Sequence, residues 1–164
     1  MTESSDNIQQ QPMLENLNIL STIEIGDKIS WYENKFFVYK WDYYQGLRRW
    51  WYSDSRSISI TKLEEFIEEV FKTIDETISK EIPNSNPNSY YIRNKNSKKS
   101  YTLKDETKEN IKSILEAVLK SQSGIQNLKQ TYDSDLAVCS TLDIIIEKIN
   151  VRTKKIEETY LKTN

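Results

Sequence analysis

The stretch that decides the fold is Thr61-Lys-Leu-Glu-Glu-Phe-Ile-Glu-Glu-Val-Phe-Lys-Thr-Ile-Asp-Glu-Thr-Ile-Ser-Lys80. Its apolar residues recur every three or four positions, which is the period of one face of an α-helix. Charged residues fill most of the opposite face, and Thr61 and Glu64 have the spacing of a capping box. The stretch therefore predicts an amphipathic helix that ends at Pro83. Its predicted core positions are Leu63, Phe66, Ile67, Val70, Phe71, Ile74 and Ile78.

Two further segments on the C-terminal side have the same period. Residues 103–121 predict a second long helix, and Ser123-Gly-Ile-Gln126 has a capping-box spacing that predicts a separate short helix after it. A last helix is expected after Asp133 or Ser134. Its apolar positions form an interrupted heptad, which suits antiparallel bundle packing or a self-associating seam. These positions are Cys139, Leu142, Ile146, Ile149, Ile156 and Tyr160.

The sequence before Thr61 has a different character. Leucines at a spacing of three predict a short helix over 14–20. Segments 28–33 and 35–41 are rich in β-branched and aromatic residues, and Asn34 between them tolerates the positive φ of a tight turn. We therefore predict a β-hairpin that packs on the helices, because an isolated hairpin is marginal in water. Residues 42–52 predict another short helix.

Together these segments predict a mostly α protein. The expected architecture is a small helical bundle of three to four main helices with an N-terminal aromatic-rich β-hairpin and short helix. A disordered polar tail is expected over 1–13, an aromatic-rich N-terminal subdomain over 14–58, and the bundle over 59–164, with a flexible basic loop at 83–101. A chain of 164 residues suits one domain that needs no disulfide or metal to fold.

Composition excludes the commonest catalytic sites. The chain has no His, one Cys and three Gly, which excludes His-dependent nucleophiles, His-ligated metals, CxxC sites and glycine-rich phosphate loops. The acidic residues of the 61–80 helix lie off its apolar face, where no burial would raise their pKa values. Cys139 on the predicted seam is expected to be an inert small hydrophobe. We therefore expect a non-enzymatic protein with no catalytic residue, cofactor or metal.

The positive feature is a cluster of aromatic and basic residues over 31–56, where all four Trp lie within 21 residues. Trp, Tyr and Arg anchor protein interfaces, and aromatic faces beside basic groups also bind unpaired nucleotides. The same rings could form a local core or contact lipid headgroups. A hairpin in a small domain buries only one of its two faces, so some rings are expected in solvent. The candidate interface residues are Trp31, Trp41, Arg48, Arg49, Trp50, Trp51 and Arg56.

A second candidate surface is the segment 82–104, which carries five basic and no acidic residues in a chain of net charge −2. Such a segment attracts nucleic acid or an acidic partner, and the alternative is a solvated loop without a ligand. The candidate basic-loop residues are Arg93, Lys95, Lys98 and Lys99.

The sequence favours a structural or protein–protein interaction module. Its partner would be another protein or a second copy of itself, bound through 31–56 or through the C-terminal seam. The alternative is single-stranded nucleic-acid binding through 31–56 with help from the basic segment 93–104. Neither a signal peptide nor a membrane-spanning run is visible, and peripheral membrane contact is not expected. A soluble, intracellular location is expected, cytoplasmic or virion-associated, since the Ile-, Lys- and Asn-rich composition fits an AT-rich virus or intracellular bacterium.

Overall fold

The computed structural model describes residues 2–40, 42–44, 47–49, 59–82 and 103–162. In these ranges the helices are α1 (Thr2–Ser21), α2 (Ile60–Glu81), α3 (Asp105–Thr131) and α4 (Leu136–Ile156), and a π-helical turn, Glu157–Leu161, continues α4. The strands are β1 (Lys28–Tyr32), β2 (Lys35–Tyr39), β3 (Asp42–Tyr44) and β4 (Leu47–Arg49), and they form two antiparallel pairs, β1–β2 and β3–β4. Helix α1 packs on α3, α3 on α4 and α4 on α2, so the predicted small helical bundle with an N-terminal hairpin is confirmed.

The apolar face of α2 lies in the core as its spacing predicts. Every predicted core position is buried except Phe66, which is partly buried. The capping box predicted at Thr61 and Glu64 is absent, because the helix begins earlier. The Ser59 carbonyl already accepts a hydrogen bond from the Leu63 amide (2.9 Å), and no side chain caps this end.

Helix α3 is continuous, so the break predicted at Ser123 is wrong. The capping-box spacing of Ser123 and Gln126 is misleading here, and Gly124 between them serves close helix packing. A Cβ atom built at Gly124 would lie 1.9 Å from the Leu20 carbonyl oxygen and 3.3 Å from the Ile23 Cβ. Only glycine permits this approach of α1 to α3. The Asn127 side chain then donates to the Ile23 carbonyl (2.9 Å) and holds the same contact.

The N-terminal subdomain departs from prediction in two places. Helix α1 runs from Thr2, so residues 2–13 are helical where the sequence predicts a disordered tail, and Pro12 lies inside the helix. Buried Leu17 and Leu20 anchor this helix and its Gln residues favour it, whereas Pro12 opposes the extension because it removes one helical hydrogen bond. The short helix predicted over 42–52 is also wrong, because β3 and β4 pair there. Aromatic residues favour strands, and Gly46 disfavours a helix.

The predicted apolar seam of helix α4 lies inside the bundle. Leu142 and Ile149 are fully buried, and the Cys139 thiol lies 3.1 Å from the Tyr132 carbonyl oxygen. The seam is therefore core rather than a surface for self-association. The N-cap is Asp135, whose carboxylate accepts the Val138 amide (3.2 Å), rather than Asp133 or Ser134.

The charged face of α2 pairs with α4. The Lys148 ammonium donates a hydrogen bond to the Glu68 carboxylate. This hydrogen bond and the positive charge of Lys148 lower the pKa of the Glu68 carboxyl. The Arg152 guanidinium lies 2.6 Å from the Asp75 carboxylate and 5.1 Å from the centre of the Phe71 ring. These pairs are well exposed, so they align the two helices more than they stabilise them.

Glu81 joins the end of α2 to the start of α3. Its carboxylate accepts the Lys104 amide (2.9 Å) and the Thr107 hydroxyl. Burial acts to raise the pKa of the Glu81 carboxyl, but the two hydrogen bonds outweigh it and hold the pKa below its ordinary value of 4.5. One carboxylate therefore caps α3 from the neighbouring helix.

Substitution of Gly124 by Ala is expected to destabilise the fold by about 3 kcal/mol, because the added methyl group overlaps the Leu20 carbonyl. Urea unfolding followed by circular dichroism measures the change. The control Gln126→Ala, at an exposed position of the same helix, should change the free energy of unfolding by less than about 0.5 kcal/mol. Equal stability of Gly124→Ala and wild type would contradict the packing role of this glycine.

Glu81 should make stability depend on pH. Its pKa is lower in the folded than in the unfolded chain, so the ionised carboxylate stabilises the fold above about pH 4.5. That contribution disappears as the pH falls through the lowered pKa. Glu81→Gln should therefore be less stable than wild type at pH 7, and the difference should shrink at pH 3. A difference in unfolding free energy that is independent of pH would contradict this role.

Candidate aromatic interface

The β-hairpin predicted around Asn34 is present as β1 and β2. Glu33 and Asn34 form its turn, and both have positive φ (51° and 65°), as a type I′ turn requires. Such a two-residue turn makes Tyr32 and Lys35 the first cross-strand pair. The turn therefore decides which side chains share a face of the hairpin.

The inner face of the hairpin belongs to the core. Trp31 lies opposite Phe36, with ring centroids 4.5 Å apart in an edge-to-face arrangement. Phe36 is fully buried and makes a second edge-to-face contact, at 5.4 Å, with Phe66 of α2. The candidate residue Trp31 is thus half-buried in a ring cluster, where such geometry adds to the stabilisation from burial.

The outer face carries two aromatic rings in solvent. Tyr32 is 65% exposed and Phe37 is 38% exposed, and strand alternation places them on the face away from the ring cluster. Lys35 lies opposite Tyr32, and Ser30 lies opposite Phe37. We refer to Ser30, Tyr32, Lys35 and Phe37 as the outer hairpin face. Their arrangement confirms the expectation that alternation leaves some rings exposed.

A single side chain fixes the hairpin on α1. The buried Asn16 accepts the Phe36 amide at its Oδ1 (3.0 Å) and donates from its Nδ2 to the Asn34 carbonyl (3.3 Å). Because Trp31 and Phe36 are the second pair from the turn, their amide and carbonyl groups point away from the partner strand. Asn16 therefore satisfies an amide that the hairpin itself leaves free.

The basic residue that follows β2 is engaged inside the protein. The Lys40 ammonium lies 2.6 Å from the Asp27 carboxylate and 3.0 Å from that of Glu24, and it donates to the Thr22 carbonyl (3.1 Å). Partial burial acts to lower the pKa of Lys40, but the two carboxylates outweigh it and raise the pKa. Lys40 therefore ties the hairpin to the end of α1, and its charge is already compensated.

The predicted site residues are only partly within the described ranges. Arg48 and Arg49 occupy β4, opposite Tyr43 and Asp42. Trp41, Trp50, Trp51 and Arg56, and the basic-loop residues Arg93, Lys95, Lys98 and Lys99, lie outside the described residues.

Sequence reasoning missed the residues that form and support this surface. Tyr32 and Phe37 lie within the aromatic cluster 31–56 but are not among the candidate interface residues, although period-two alternation with Trp31 separates the two faces. The sequence gives no indication that Asn16 holds the hairpin, because its hydrogen-bond partners are 18 and 20 positions away.

Comparison with protein-family models found no matching family, and comparison with curated proteins and solved structures found no significant match. Within the described ranges, no helix is long and apolar enough to cross a membrane. No group of three His, Cys, Asp or Glu side chains in those ranges could hold a metal ion.

Asn16→Ala is expected to destabilise the protein by about 2 kcal/mol, because it leaves the buried Phe36 amide without an acceptor. Chemical denaturation measures the loss. The exposed Asn18 on the same helix provides the matched control, and Asn18→Ala should stay within about 0.5 kcal/mol of wild type. Equal free energies of unfolding for the two variants would contradict the hairpin contact, because helix propensity alone favours Ala over Asn at both positions.

Proposed function

We propose that the protein is a non-enzymatic interaction module that binds a protein partner through the outer hairpin face. The observation that carries the proposal is the exposure of Tyr32 and Phe37 on one face of a hairpin whose other face lies in the core. Aromatic rings are enriched at the centres of protein interfaces, where they contribute much of the binding energy.

The contacts that hold the hairpin beneath Tyr32 and Phe37 support this proposal. The ring cluster under Trp31, the Asn16 contacts and the tight turn hold the backbone of the face in one conformation. A surface that is already ordered loses less conformational entropy when a partner binds. Tyr and Phe side chains also have few rotatable bonds, so they lose little freedom themselves.

Single-stranded nucleic-acid binding remains the alternative proposal. Its support in the described part of the chain is the exposed Lys35 next to the two rings. Lys40 adds little, because Asp27 and Glu24 already compensate its charge. The proposed location, inside a cell or in a virion, rests on composition.

The double variant Tyr32→Ser/Phe37→Ser tests the main proposal. In affinity capture from an extract of the source cells, wild type should retain a protein that the double variant loses. Leu136→Ser, which removes an 81% exposed apolar side chain on α4, is the matched control and should retain it. With the captured partner purified, the double variant should bind at least about 10-fold more weakly. Unchanged affinity in a variant with an unchanged melting temperature would refute the proposal.

The nucleic-acid alternative has its own measurement. A labelled 20-nucleotide oligothymidine is titrated with wild type at 50 and 200 mM salt. Binding that weakens steeply with salt and disappears in Tyr32→Ser/Phe37→Ser would favour the alternative, because released counterions make such binding salt-dependent. No binding at 50 mM salt would exclude it.

A further inference from the structure

Tyr32 and Phe37 flank a gap on the outer hairpin face. They belong to neighbouring cross-strand pairs, Tyr32 with Lys35 and Phe37 with Ser30, so the two rings are diagonal neighbours. Diagonal neighbours lie about 7–8 Å apart, and side chains of a strand stand roughly perpendicular to the sheet. Within the described part of the chain, these two rings make no contact with each other. The space between them is therefore open to a ligand.

Ser30 forms the floor of this gap. It precedes Tyr32 by two positions on β1 and lies opposite Phe37, so the smallest side chain of the face lies beside both rings. The next pair on the same face is Lys28 with Tyr39, of which Lys28 is buried and Tyr39 is half-buried. The gap is thus bounded at that end. We refer to Ser30, Tyr32 and Phe37 as the aromatic slot.

The width of the aromatic slot suits one flat aliphatic ring. Apolar atoms attract each other best at about 3.5–4.0 Å, so a ring that contacts both walls needs walls about 7–8 Å apart. The pyrrolidine ring of proline is such a ring, and consecutive prolines form a polyproline II helix whose conformation is set before binding. Segments of this kind dock on exposed aromatic rings with a small loss of entropy.

The polar groups of the outer hairpin face match a proline-rich backbone. The amides and carbonyls of a strand lie in the plane of the sheet, so side chains supply the hydrogen bonds on its face. The Ser30 and Tyr32 hydroxyls and the Lys35 ammonium can each donate a hydrogen bond. A proline-rich segment offers carbonyl acceptors and has few amides, so it covers the rings without burying an amide that lacks an acceptor.

Lys35 adds a preference for negative charge. It is exposed, lies opposite Tyr32, and forms no ion pair with Glu33 or with any other described residue. An acidic residue next to the bound proline therefore meets a cation that the described part of the protein leaves uncompensated.

We propose that the outer hairpin face binds a proline-rich segment of the partner protein, an assignment that rests on the protein interaction proposed above. One proline ring lies between Tyr32 and Phe37 over Ser30, and a neighbouring carboxylate of the segment pairs with Lys35. Because the slot holds a single ring, the segment alone should bind weakly, with a dissociation constant on the order of 100 μM.

A synthetic octaproline peptide that ends in two glutamates tests the aromatic slot. In an NMR titration of isotope-labelled wild type with up to 2 mM peptide, the amide signals of Ser30, Tyr32 and Phe37 should shift and saturate. A peptide in which glycine and serine replace the prolines is the control and should not bind. Tyr32→Ser/Phe37→Ser should bind octaproline at least about 10-fold more weakly at an unchanged melting temperature. Absence of octaproline binding in wild type, or full retention of it in the double variant, would overturn the proposal.

Ser30 offers a matched pair of variants that leave both rings in place. Ser30→Leu fills the floor of the slot and should weaken octaproline binding at least about 10-fold, because the proline ring loses its space. Ser30→Ala keeps the slot open and removes at most one exposed hydrogen bond, so it should weaken binding less than about 5-fold. Equal affinities of Ser30→Leu and wild type would show that no ring enters the slot and would refute the assignment.

Lys35→Glu tests the charge preference. This variant should bind the glutamate-ended peptide roughly 2- to 10-fold more weakly than wild type does, and it should prefer an octaproline peptide that ends in two lysines. The same order of preference for the two peptides in Lys35→Glu and in wild type would contradict the contact between Lys35 and a carboxylate.

Failure of the proline assignment is distinct from failure of the protein interaction. Capture of a protein from the extract that depends on Tyr32 and Phe37, together with no binding of octaproline, would overturn the proline assignment alone. Unchanged capture by Tyr32→Ser/Phe37→Ser would refute the interaction through this face.

Discussion

The contact between the end of α1 and Gly124 of α3 is the constraint on which the rest of the described structure depends. It joins parts of the chain that are about a hundred positions apart, and it fixes the axis of α1. Helix α1 carries Asn16, and Asn16 holds the hairpin. The placement of the hairpin that carries Tyr32 and Phe37 therefore depends on the missing side chain of Gly124 in α3.

Two polar side chains have the same function in different places. Asn16 satisfies an amide and a carbonyl of the hairpin, and Glu81 satisfies an amide and a hydroxyl at the start of α3. Each makes both of its hydrogen bonds with groups of another element. A bundle whose core is almost entirely aliphatic thereby obtains directional contacts, which fix how its parts are placed.

The sequence predicts those features that are local. The helical period gives the core face of α2, and the residue types around Asn34 give the hairpin and its turn. Short capping patterns at Thr61 and Ser123 mislead, because four residues specify a cap only if the helix also begins there.

The contacts that form the candidate site are not local. Gly124 and Asn16 have partners far along the chain, and a single sequence carries no signal of such pairs. Alternation could have separated the exposed Tyr32 from the half-buried Trp31, because it needs only the register of one hairpin. The heptad of α4 likewise predicts the face of that helix that the core buries.

The position of Asn16 also has a consequence for solubility. A two-stranded hairpin has two open edges, and exposed aromatic residues beside an open edge promote strand addition and aggregation. Asn16 occupies the outward-pointing Phe36 amide on the edge of β2, so an incoming strand finds no donor there. Asn16 therefore opposes strand addition at this position of β2, and Tyr32 and Phe37 remain exposed on the outer hairpin face.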